Sequence, residues 1–198
     1  MSGENSSIKW LTFFFTEWFW AMAQFLLIGI SFFFIYRQVR LQSKAHIITA
    51  IDIIYNRWAS EAMLRARHQV CQRWLDGENS FDSVAEYIAE YFEELGIYTK
   101  AKVLSKREMW DIQSWNIELY YSMFKEHIEA LRIKYNDKTY YCEFERLAYL
   151  MSKESKKQGA PSYLPRPLEE LREHSIREVQ RANTFLQLKG RTPSKKTK

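Results

Sequence analysis

The sequence predicts an all-α protein: one N-terminal transmembrane helix continuing into a small cytoplasmic helical bundle. Three observations carry this. Of the nineteen residues from Trp18 to Tyr36, only Gln24 and Ser31 are polar. After them, apolar residues recur at steps of three and four, and no run alternates with the two-residue period of a strand. The 198 residues include only 6 glycines and 4 prolines, few turn formers for a chain of this length.

The membrane segment is assigned to residues 10–36, WLTFFFTEWFWAMAQFLLIGISFFFIY. At about 1.5 Å per residue, the apolar stretch covers the roughly 30 Å of a bilayer's hydrocarbon core. Trp10, Trp18 and Trp20 gather at one end and Tyr36 stands at the other, where amphipathic rings settle at headgroup level. A cleaved signal peptide is a poorer fit, because the run is too long, no small-residue cleavage site follows it, and the basic residues come after it. Residues 1–9, a short external tail, carry Glu4 and Lys9 and no net charge, whereas Arg37, Arg40 and Lys44 follow the span. Positive charge stays inside, so the N-terminus is expected outside and the bulk in the cytoplasm, at the cytoplasmic (inner) membrane. The same three cations can attract anionic lipid.

Glu17, Gln24 and Ser31 are spaced seven apart, nearly on one helix face. Polar groups within a membrane usually turn toward protein rather than lipid. The stripe is therefore a candidate contact with another membrane helix, in a self-association or a larger complex. The alternative is that Glu17 lies at the outer interface and Gln24 and Ser31 are tolerated singly.

The cytoplasmic domain is assigned to residues 37–158. Val39, Ile47, Ile51 and Ile54 extend the first helix toward Ser60, a candidate N-cap, and Gly77 closes the helix that follows. The next helix opens near Ser80, with Phe81, Val84, Ile88, Tyr91, Phe92 and Leu95 as its stripe and Gly96 as its expected left-handed C-terminal residue. Ser105 and Glu108 have capping-box spacing ahead of a long helix that Asn136-Asp137 interrupts. A helix through Phe144, Leu147 and Met151 fades in SKESKKQG. Residues 159–166 read as a Pro-rich extended connector, 167–188 as a last helix with Pro167 in its first turn, and 189–198 as a basic, disordered tail.

Charge is unevenly placed. Residues 37–75 carry seven basic groups against Asp52 and Glu61, whereas residues 76–97 carry seven acidic groups and no basic one, so these segments should attract each other. The overall balance is +5, with neither a stacking platform nor a motif for nucleic acid, which is not an expected partner. Cys71 and Cys142 stand far apart in a segment expected to be reducing, so free thiols are expected.

The glycines are never clustered as a phosphate-cradling loop requires. Each of the four histidines lacks a glutamate three residues before it, the spacing of di-iron bundles. His68 and Cys71 could form half of a zinc site, but no second half accompanies them. Glu170 and His174 are placed to bond along one helix turn. No catalytic residue, cofactor or metal is expected from the sequence.

The segments IYRQVRLQS (35–43), RWASEAMLRAR (57–67), VAEYIAEYFEELGIYTKAKVLS (84–105) and FERLA (144–148) resemble a family of uncharacterised bacterial proteins with an N-terminal membrane helix and a small helical domain. The resemblance runs from about Ile35 to Ser152 and implies an architecture but no reaction or ligand; the connector and last helix lie outside it, as a candidate partner-binding extension. Arg57, Arg65 and Arg67 lie in its second segment. They could hold a phosphate or lipid headgroup, or pair with the acidic helix at 82–94. The leading functional expectation is a non-enzymatic accessory or scaffold subunit of a membrane complex; the alternative is a membrane-tethered signalling or defence sensor that binds an anion through those arginines.

Overall fold

A computed structural model describes residues 4–78, 80–162 and 164–191; for 4–15, 17, 43, 44, 46, 190 and 191 it describes the backbone alone. The described residues form six helices and no strand: α1 (Glu4–Ala59), α2 (Glu61–Leu75), α3 (Ser83–Lys100), α4 (Lys106–Tyr135), α5 (Cys142–Lys157) and α6 (Leu168–Arg191). The fold is all-α, as expected. Contacts divide the chain into two units, Met1–Thr49 and Ala50–Lys198.

The first unit is helix throughout its described part. Glu4–Lys9, expected as tail, is already helical. Its large apolar side chains from Trp18 to Leu41 are exposed, as with Phe25 at 77%.

In the second unit, sequence chemistry sets the helix boundaries. The Ser60 hydroxyl accepts from Met63 N at 3.2 Å and starts α2. Asp82, two residues later than the expected Ser80, caps α3 by accepting from Val84 N and Ala85 N, and Arg73 of α2 grips the same carboxylate at 2.7 Å. Ser105 and Glu108 make the reciprocal capping box of α4, with Ser105 N donating to Glu108 Oε2 at 2.7 Å. Asn136 ends α4 in the left-handed conformation, φ 48°. α5 has no side-chain cap of its own. Instead Glu93 of α3 accepts from Glu143 N and Phe144 N at 3.2 and 2.6 Å, satisfying free donors at a positive helix end.

Gly96 departs from expectation. It lies inside α3, not at its end, and a Cβ there would stand 2.5 Å from the Glu143 carbonyl oxygen of α5. It is a crossing point rather than a cap. The left-handed residue after α3 is Lys102, φ 59°.

The core is aromatic. Phe92 stacks on Phe144 with centroids 5.0 Å apart, Trp58 stacks on Tyr91 at 5.4 Å, and Tyr120 closes against both Trp58 and Phe92. Phe92, Tyr120 and Phe144 are wholly buried. Burying each such ring contributes about 1.5–3 kcal/mol before edge and stacking terms. α5 packs between α3 and α4, and α6 packs on α2. α6 and the connector thus belong to the core: Ala182, Ser175 and Leu171 are buried, and so are Ser162 and Arg166.

Candidate functional site

The first candidate region is the exposed face of α1. The stretch Trp18–Ala59 is long and apolar enough to cross a membrane, and none of its most apolar window, of mean hydropathy 1.9, is buried within the chain. Gln24 and Ser31 are exposed on it. The Ser31 hydroxyl donates to the Leu27 carbonyl at 2.7 Å, a bond inside its own helix that satisfies the donor without a partner chain. Gln24 is left as the polar group facing outward. The side chains of Glu17 and Lys44 lie outside the described residues; Arg37 and Arg40 are exposed.

The arginines at 57, 65 and 67 are not brought together around a common space. Arg57 pairs with Glu94 of α3, as the opposite charges of the two segments suggest. Arg65 bonds Glu61 one turn earlier on α2 at 2.8 Å, and that carboxylate also takes Lys189 of α6. Arg67 is buried, donates to Glu178 of α6 at 2.5 Å and to the Trp58 carbonyl at 3.3 Å, and lies 4.2 Å above the Trp58 ring. Its Nε has no hydrogen bond.

Arg67 belongs to a second region, a polar centre where α2, α4 and α6 meet. Glu178 is 3% exposed, and its other oxygen takes Arg181 at 2.9 Å. His174, 4% exposed, sets its ring edge-on to Tyr120 at 5.6 Å, and its Nε2 is buried without a hydrogen bond. Burial, then the charges of Arg177, Arg67 and Arg181, push this imidazole down to about 4, so it is neutral at pH 7. The bond expected between Glu170 and His174 is absent, because Glu170 is engaged by Arg166 at 3.0 Å. Cys71 lies fully buried with Sγ 3.6 Å from the Tyr120 hydroxyl, and burial pushes its thiol up to about 11. Such a thiol is a poor nucleophile at neutral pH. His68 faces a different cleft, with Gln72, Arg73 and Asp82, so it does not join Cys71. Among the described residues no three metal-ligating side chains converge.

Between α4 and α6 opens a cleft of about 380 Å³, lined by Trp115, Asn116, His174, Arg177, Glu178 and Arg181. A second cleft of the same volume shares Asn116 and Arg181 with it and continues to Tyr55, Leu64, Ile112 and Phe185.

The third region escaped the sequence reading. Glu118 of α4 is 0% exposed and accepts from Arg166 at 2.7 Å, Ser155 at 3.0 Å and Ser162 at 3.2 Å. Trp110 donates to the Ser155 hydroxyl at 2.8 Å, and Arg166 lies 4.4 Å over the Trp115 ring. A buried carboxylate so fully engaged ties the connector to α4 and α5. One signal was present: Glu118 is the single charge in the apolar run from Ile117 to Phe124.

Three comparisons with known proteins bear on this architecture. No curated protein and no solved structure matches the chain. The sequence profile of DUF4760, a domain of unknown function, matches residues 16–151, from the apolar part of α1 into α5. The chain belongs to that DUF4760 family.

Proposed function

We propose that this is a single-pass membrane protein acting as a non-enzymatic accessory or scaffold subunit of a membrane complex, with its N-terminus outside and its bundle in the cytoplasm beneath a bacterial inner membrane. The observation that carries this reading is the uncovered apolar length of α1, which buries none of its most apolar window within the chain. Surface of that extent is stable only in lipid or against protein. Arg37 and Arg40, exposed after the span, support the orientation. Of the two described side chains on the stripe, Gln24 is the one with a bonding requirement still to meet, so it is the anchor of helix–helix contact. Support for a non-catalytic bundle comes from its interior, where Glu118 is committed to bonds with Arg166, Ser155 and Ser162, and Cys71 is an inactive thiol.

Gentle solubilisation followed by native mass measurement tests this. Stoichiometric co-purification of other membrane proteins, lost in Gln24→Leu, is the expected result; a lone monomer, or release of the chain from vesicles by carbonate, overturns it. The reading in which Arg57, Arg65 and Arg67 jointly bind an anion has less support, because each guanidinium has its own carboxylate.

A further inference from the structure

The geometry points to a phosphate-binding site in the cleft between α4 and α6, with Arg177 and Arg181 holding the anion and His174 in the wall beside them. The argument begins with charge. Arg67 and Arg181 both bond one carboxylate, Glu178, and Arg177 lines the same cleft as Arg181 and Glu178. Both oxygens of Glu178 are already used, one by buried Arg67 and the other by Arg181. Arg177 has no carboxylate partner among the described residues, yet it lines the same cleft.

Arg177 and Arg181 are one turn apart on α6, and like charges at that spacing repel. The pair therefore carries an electrostatic cost that an anion between them would offset. The Arg181–Glu178 bond need not be broken, because Glu178 is 3% exposed and also held by Arg67, whereas the Arg181 side chain is 69% exposed and a guanidinium has further N–H groups to offer an anion. Two guanidinium forks on one helix face match the tetrahedral oxygens of a phosphate group, which accepts several donors at once.

A second observation points the same way. His174 is 4% exposed and lines the cleft, and its buried Nε2 has no hydrogen-bond partner among the described residues. A buried polar ring without a partner is costly in a finished core. Placed against a cleft, it is the mark of a site whose last partner arrives from outside. The volume, about 380 Å³, stands at the low end of the range of about 300–1,000 Å³ for small-molecule sites. The shared wall at Asn116 and Arg181 gives a bound phosphate access to the neighbouring cleft with Tyr55, Leu64 and Phe185, so an organic phosphate has somewhere to lay an apolar portion. This site is separate from the α1 surface on which the scaffold reading rests, and either stands without the other.

The test uses the full chain in a neutral detergent or nanodisc. Inorganic phosphate is titrated into wild type, Arg177→Gln, Arg181→Gln, the double variant and Arg172→Gln, an exposed arginine of the same helix that does not line the cleft. Binding is read by calorimetry and by the imidazole signal of His174, assigned with His174→Gln. Each cleft arginine should weaken binding about tenfold, the worth of one bond between charged groups, whereas Arg172→Gln leaves it unchanged. Unliganded melting temperatures confirm that the variants fold. A parallel arm compares nanodiscs with and without phosphatidic acid: response there alone assigns a lipid headgroup, and response to free phosphate assigns a soluble ligand. The proposal is overturned if wild type responds to neither probe, or if the double variant binds within about twofold of wild type.

Discussion

Replacing Gly96 by alanine should destabilise the bundle, although alanine is the better helix former. The residue is inside α3, where the exchange gains about 1 kcal/mol of helix propensity. Against this, the added Cβ would stand 2.5 Å from the Glu143 carbonyl oxygen, 2.7 Å from its carbonyl carbon and 2.8 Å from its Cβ. An ordinary contact begins near 3.4 Å, so α3 and α5 must part by about 0.9 Å, the difference between those distances. The obstacle is backbone and cannot swing aside. It is also held from several directions: Glu93 accepts the Glu143 and Phe144 amides, Lys100 pairs with Glu143, and Arg146 donates to the Gly96 carbonyl at 2.6 Å. Overpacking costs about 1–3 kcal/mol, and each bond stretched by the separation adds about 1 kcal/mol. The net loss is then about 1–3 kcal/mol, or a fall of roughly 3–10 °C in Tm for a domain of this size. Far-UV circular dichroism of the full chain in detergent measures it, with Gly29→Ala, whose Cβ meets nothing within 4 Å, as the benign comparison. A Gly96→Ala protein that melts at or above the wild-type temperature would refute the close crossing.

Removing one member of the Glu118–Arg166 pair, as in Glu118→Ala, should cost about 3–5 kcal/mol in denaturant unfolding, because a charge is left buried and alone; replacing both by methionine should recover much of the loss. A maleimide should label Cys142 in the native protein and reach Cys71 only on unfolding, and equal labelling rates would contradict the burial of Cys71 beneath Tyr120. His174 is held down to about 4 against an ordinary 6.5, so the unfolded chain binds its proton first and stability present above about pH 6.5 is lost as pH falls toward 4. Between about pH 7.5 and 5 that loss is about 2 kcal/mol, and His174→Gln should flatten it, since the carboxylates held low at Glu61, Asp82 and Glu143 titrate below this window; an unchanged slope would show that another group is responsible.

Much of the fold was legible because its signals are local. The Ser60 cap, the Ser105–Glu108 box, the stop at Asn136 and the start at Pro167 each rest on residues within one turn of one another, and the apolar stripes need only the 3.6-residue period. Gly96 was misread because a glycine ending a helix and a glycine admitting a neighbouring backbone look alike along the chain; what separates them is Glu143 on another helix. Charge sign predicted that Arg57 would meet the acidic helix, and it meets Glu94. Sign alone could not give Arg67 its address, Glu178, which lies 111 residues away. The cleft with His174, Arg177 and Arg181 was invisible for the same reason, since Trp115 and Asn116 complete it from α4.

The family match ends at residue 151, but the buried charges within it do not close there. Arg67 and Glu118 both lie inside the matched span, are 4% and 0% exposed, and find their principal partners in Glu178 and Arg166, beyond it. A buried guanidinium or carboxylate without its counter-charge costs more than the pair ever contributes, so the matched residues of this chain presuppose the connector and α6. The C-terminal segment is therefore not an appendage in this protein. It supplies counter-ions to the core and, through Arg177, Arg181 and His174, brings to the α4 surface a cleft lined by two guanidinium groups and one carboxylate, Glu178.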